Sequence, residues 1–169
     1  MRSQHKFKYQ RGVPVAPLRR GGKFFPMPTQ RIFLDANILV TVLCNEYPRF
    51  TESARVLSLA DDNRFEVYTS PLCLAIGAYF AEKKNGKQLA KKKIALLLEK
   101  LKITKVDGTS AKRTIANKKV HDFEDGLEYY SAVDAKCTCI VTYDKNDFHF
   151  SEMEVLGARE FLLKHAVKL

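Results

Sequence analysis

Several things are missing from this chain, and each absence excludes a class of function. No apolar run approaches the ~20 residues needed to span a bilayer, so nothing predicts a membrane helix. The first 30 residues are basic but lack the continuous apolar core of a secretory signal. None of the four cysteines (Cys44, Cys73, Cys137, Cys139) forms a CxxC pair, and Cys137-Thr-Cys139 is too weak a pattern for a redox or metal motif. They read as small hydrophobes, with a reducing cytoplasm as the expected setting. There is no Walker-type glycine-rich loop and no GxGxxG, which removes the common phosphate cradles. No Ser/His/Asp arrangement or activated cysteine is evident, and His121 and His149 read as exposed rather than catalytic.

What is present is a chain of 169 residues, 46% hydrophobic, long enough for one domain with a sizeable core. Its net charge of +10 is unevenly spread. Residues 1–31 hold eight Lys/Arg and no acid, and residues 83–119 hold thirteen Lys/Arg against Glu99 and Asp107. Residues 32–82 and 120–169 are net acidic. Such a division suits an acidic pocket beside a surface for a polyanion.

Residues 1–30 carry Arg-Arg-Gly-Gly, four prolines and no periodicity, and read as a flexible basic arm. Met27 is an alternative start, which would leave 31–169 as the domain. Residues 31–34 form a short apolar strand ending at Asp35, followed by a helix from about Ile38. A helix over 51–60, a strand over 64–69, and a helix over 72–84 capped by Ser70 follow. The last of these is apolar nearly all round, so it is expected to be buried. Residues 87–101 form a helix with a stripe of Ile94, Leu97, Leu98 and Leu101 and lysines at Lys87, Lys91, Lys92 and Lys93. A short strand over 103–106, a turn over 107–109 and a helix over 110–119 carry Lys112, Arg113, Lys118 and Lys119. Such basic faces are often merely solvated; their density makes them candidate RNA phosphate contacts. A helix from Phe123 to about Lys136, a strand over 139–142, a short strand at 155–156 and a final helix over 158–164 complete the chain. Strands alternating with helices predict an α/β fold around a parallel sheet.

The chemistry-bearing stretch is 120–150. Two acid clusters, Asp122/Glu124/Asp125 and Asp144/Asp147, bracket a helix and a strand, and Asp35 follows an earlier strand. Asp35 and Asp144 both stand beyond the carboxyl ends of strands, where open parallel sheets bind ligands. Acids at helix starts are also plain caps, favoured by the helix dipole. The alternative is convergence, in which mutual repulsion of the carboxylates is relieved by Mg²⁺ or Mn²⁺. Asn37 can serve either reading by hydrogen bonding to the loop or to the carboxylate.

The ordered segments FLDANILV, HDFEDGLEYYSA and CIVTYDKNDFHFSEMEVLGAREFL resemble the PIN domain, especially bacterial PIN proteins related to VapC-type toxins, over about 31–163. The resemblance implies a three-layer α/β/α fold with a central parallel sheet of four to five strands. It also implies a Mg²⁺- or Mn²⁺-dependent ribonuclease. By position, Asp35, Asp125 and Asp144 match the catalytic and metal-binding acids, Asp122 is an additional acid before the late helix, and Asp147 heads the following Asp-Phe pair. Thr142 and Asn37 match the accompanying polar positions, with Glu124 beside them. The chain departs from the pattern on the helix after the second strand, where residues 72–80 contain no acid. Ile76 is the estimated position, and Glu82 falls about a turn and a half beyond it.

Function is therefore expected to be that of an endoribonuclease, the toxin of a toxin–antitoxin pair. Its partners would be RNA, a small antitoxin and a second copy of the chain. The alternative is a degenerate PIN fold that binds RNA or protein without cutting. A DNA-directed nuclease or phosphatase using the same cation is a weaker third reading.

Overall fold

The structure, a computed structural model, describes residues 29–167 and two short strands before them, Arg19–Arg20 and Lys23–Phe24, paired antiparallel. The rest of the expected basic arm, Met27 included, lies outside the described residues.

Strand β1 (Gln30–Leu34) leads into helices α1 (Ala36–Leu43) and α2 (Phe50–Ser58) and then β2 (Phe65–Thr69). Helices α3 (Pro71–Asn85) and α4 (Lys87–Lys100) precede β3 (Lys102–Ile103). Helices α5 (Gly108–Ala116) and α6 (Phe123–Asp134) precede β4 (Cys139–Val141), and β5 (Glu154–Leu156) is followed by α7 (Ala158–Phe161). The five strands form one parallel sheet in the order β3-β2-β1-β4-β5, between helical layers. No helix among the described residues is long and apolar enough to cross a membrane.

The two central strands are apolar because helices cover both faces of the sheet. Ile32, Phe33, Leu34, Cys139, Ile140 and Val141 are all fully buried. The four cysteines are buried and free, and burial pushes the Cys137 and Cys139 thiols up to about 12, so these two pack as small hydrophobes.

Chain order reverses between β1 and β4: β2 and β3 extend to one side of β1, while β4 and β5 lie on the other. That switch point opens a crevice at the carboxyl ends of the strands. The residues just past those ends are polar and buried: Asp35 after β1, Ser70 after β2, Thr104 after β3 and Thr142 after β4. A buried polar shelf of this kind must satisfy its own hydrogen bonds. Thr69 Oγ1 donates to the Leu34 carbonyl at 2.9 Å, and Thr104 Oγ1 to Ser131 Oγ at 3.0 Å.

Two expectations are corrected. Helix α3 is not buried all round: Cys73, Leu74, Gly77 and Ala81 face inward, whereas Tyr79 and Phe80 stay exposed. Its one inward face packs on α1, with Gly77 admitting Leu43. In α4, Leu97 and the following Leu101 are buried, but Leu98 is half exposed, because that stripe exceeds the width of the contact with α3.

Candidate metal centre

Asp35 occupies the N-cap position of α1, but its side chain makes no cap hydrogen bond. It turns instead across the switch point. Thr142 Oγ1, from the end of β4, donates to Asp35 Oδ2 at 2.6 Å, and Asn37 Nδ2 donates to the same oxygen at 2.7 Å. Asn37 Nδ2 also reaches Thr142 Oγ1 at 2.9 Å, and Asn37 Oδ1 accepts the Tyr143 amide at 3.1 Å. The carboxylate is thus held by the first turn of α1 and by the end of β4, which the pairing of β1 with β4 brings together.

Helix α6 brings the second group. Asp122 Oδ1 accepts the Glu124 amide at 2.9 Å, so Asp122 is a true cap, and Glu124 and Asp125 fill the first turn. Gly126 lets this turn approach α5, since a Cβ there would meet Thr114 Cγ2 at 2.3 Å. A cavity of about 490 Å³ lies between these parts. Asp35, Asp122, Glu124, Asp125 and Asp147 all contribute to its lining. Asp144 is absent from that lining: it is exposed, its amide bound to Thr142 Oγ1 at 2.9 Å. The short turn after β4 presents Asp147 to the cavity instead.

The electrostatics are those of an uncompensated anionic pocket. Burial, then Asp147, Asp122, Asp35 and Glu124, push the Asp125 carboxyl up to about 7. Burial raises Asp35 despite its hydrogen bonds, and burial followed by neighbouring carboxylates raises Glu124 and Asp147. Arg49 is the single basic residue of the lining, and its guanidinium lies 4.5 Å from the centre of the Tyr143 ring. A divalent cation would relieve this repulsion, and the all-oxygen donors of Asp35, Asp125 and Asp147 suit Mg²⁺ or Mn²⁺.

The helix after β2 presents Ile76 and Phe80 to the cavity and no acid; Glu82 is exposed outside it. Two residues were not singled out by sequence. One is Arg49, in the loop after α1. The other is Glu128, one turn beyond Asp125, which is 1% exposed with neither carboxylate oxygen hydrogen-bonded among the described residues. The only sequence signal for Glu128 was its spacing from Asp125, which places both on one side of α6.

The basic residues divide into two groups. Lys93 Nζ donates to the Leu43 carbonyl at 2.5 Å, closing the end of α1, and Arg113 pairs with Asp134 at 2.6 Å while stacking on Tyr130. These two are structural contacts. Lys87, Lys91, Lys92, Lys112, Lys118 and Lys119 are exposed, and Lys118 and Lys119 immediately precede the acid-bearing helix. His121 and His149 are exposed and lie against each other, ring centres 4.7 Å apart.

A family model described as PIN domain matches residues 31–146. Ribonuclease VapC1 of Aquifex aeolicus (strain VF5) is 25% identical over 138 residues, 80% of this chain and 95% of that protein. Among solved structures, VapBC2 from Rickettsia felis, bound to a DNA fragment from its promoter, matches with a TM-score of 0.57 at 17% identity, covering 75% of this chain and 97% of that one. VapC20 of Mycobacterium tuberculosis, described as a sarcin-ricin loop cleaving toxin, matches with a TM-score of 0.59 at 16% identity, covering 73% of this chain and 98% of that one. At these identities the two structures show a shared fold.

Proposed function

The chain belongs to the PIN domain family, and from that premise we propose that it is a metal-dependent endoribonuclease, the toxin of a type II toxin–antitoxin pair. The observation that carries this reading is the cavity itself: six carboxylates line it, Glu46 included, four of them with raised proton affinity, and no lysine is among its lining residues. The 25% identity to a ribonuclease along most of both chains supports the reaction class.

Asp35, Asp125 and Asp147 hold Mg²⁺ or Mn²⁺. When bound, such a cation stabilises negative charge developing on a phosphodiester. Asn37 and Thr142 fix the orientation of Asp35, so the carboxylate does not reorganise during reaction. Asp122, which lines the cavity, accepts a hydrogen bond from the attacking water. Arg49, steadied on Tyr143, pairs with a phosphate oxygen. The exposed lysines of α4 and the segment before α6 contact further phosphates, which makes RNA binding salt-dependent.

A small antitoxin protein fits the apolar side chains left exposed on α3 and α4, namely Tyr79, Phe80, Leu89 and Leu96.

One observation favours a second reading, a degenerate domain that binds without cutting: Ile76 lines the cavity at the position where the family resemblance implies an acid. Cleavage of single-stranded RNA with Mn²⁺ separates the two. The wild-type protein cuts, and Asp35→Asn reduces the rate at least about 100-fold, the upper end of what losing a supporting group costs a metal site. Equal cleavage by both proteins removes the site assignment, and cleavage by neither supports the degenerate domain.

A further inference from the structure

The absent α3 acid leaves the centre with donors on one side only, from α6, β1 and the turn after β4. Glu128 lies further inward on α6, in the interior. It follows Asp125 by three residues, so the two carboxylates are stacked one helical turn apart, Asp125 at the cavity and Glu128 in the interior. One carboxylate oxygen of Glu128, one of Asp35 and Cys73 Sγ all lie within 4.8 Å of one another. Cys73 belongs to the first turn of α3, the helix that lacks the acid. Its sulfur already accepts the Ser70 hydroxyl at 3.1 Å, whereas both Glu128 oxygens lack a hydrogen-bond partner among the described residues.

We infer that Glu128 is the carboxylate that takes the place of the acid α3 lacks, holding the divalent cation jointly with Asp35 from the interior side of the centre. This rests on the metal-centre reading above. A buried carboxylate without a donor is expensive, and two facing each other more so. Without a cation, a proton on Glu128 bridges it to Asp35 and the Cys73 thiol stands beside the pair; a cation held by the two carboxylates takes the place of that proton. Oxygen donors about 2.1 Å from one Mg²⁺ stand up to about 4.2 Å apart, and the grouping of these atoms within 4.8 Å is compatible with a shared cation.

The test is calorimetric titration of MnCl₂ into the metal-free full chain, with thermal melting of the same samples. Wild type binds Mn²⁺ and melts higher with it. Glu128→Gln, isosteric and neutral, binds at least tenfold more weakly and loses that rise, while its metal-free form melts no lower than wild type. Glu128→Asp, which withdraws the carboxylate by one methylene, weakens binding similarly and covers the case of a Gln variant that does not fold. If either folded variant binds Mn²⁺ within twofold of wild type while Asp35→Asn does not bind, Glu128 is not a ligand and only this inference falls. If Cys73→Ala abolishes binding and Glu128→Gln does not, the inner donor is sulfur and the inference is overturned. A wild-type protein that takes up no Mn²⁺ removes the metal centre and the inference with it.

Discussion

Asp35 and Asp122 both occupy helix starts, yet their side chains do different things. Asp122 caps its helix through the Glu124 amide, as the plainest reading of the sequence allows. Asp35 gives up the cap and is held by Asn37 and Thr142. The sequence could indicate that an acid stood at a strand end; it could not separate these fates, because Thr142 is 107 residues away. Glu128 was illegible for the same reason. In sequence it is a mid-helix glutamate, and only the approach of α3's first turn makes it an interior group. Asp125 has a measurable consequence. Its folded pKa of about 7 lies above the ordinary value of 3.8, so the fold favours the protonated form. The associated stability is fully present below about pH 4 and is lost as pH rises through about 7. Melting of the metal-free protein across that window should show a falling Tm, and Asp125→Asn should flatten the fall. A Tm that rises steadily through the same window would contradict the raised pKa.

At the scale of elements, most strands and helices were legible because their apolar spacing and caps agree. Ser70 caps α3 by accepting the Cys73 amide at 2.9 Å, as the Ser-Pro start predicts. Burial was less legible. Tyr79 and Phe80 continue the apolar pattern of α3 onto a face that the other described residues leave exposed, and composition cannot reveal which faces find a neighbour. The junction of α5 with α6 gives the sharpest test of packing near the site. A methyl group at Gly126 would overlap Thr114 and come within 2.8 Å of Val120, so the helices must separate. Gly126→Ala should therefore cost about 1–3 kcal/mol in denaturant unfolding, despite the better helix propensity of alanine. It should also weaken Mn²⁺ binding by displacing Asp125. A variant as stable as wild type would mean that the two helices are not held as described.

For the whole molecule, the division of charge read from sequence has a structural counterpart: acids from three distant segments meet at the β1–β4 switch point, and exposed lysines lie on α4, α5 and the approach to α6. The strand order 3-2-1-4-5 creates that meeting place, and it follows from long-range pairing that local periodicity does not encode. The central claim is that this acidic crevice, loaded with a divalent cation, cuts RNA. The most direct measurement is cleavage of a labelled single-stranded RNA by the purified full-length chain, first stripped with EDTA and then supplied with Mn²⁺. The predicted result is no cleavage in EDTA and cleavage restored by Mn²⁺; RNA left intact with Mn²⁺, or cut equally well in EDTA, would contradict it.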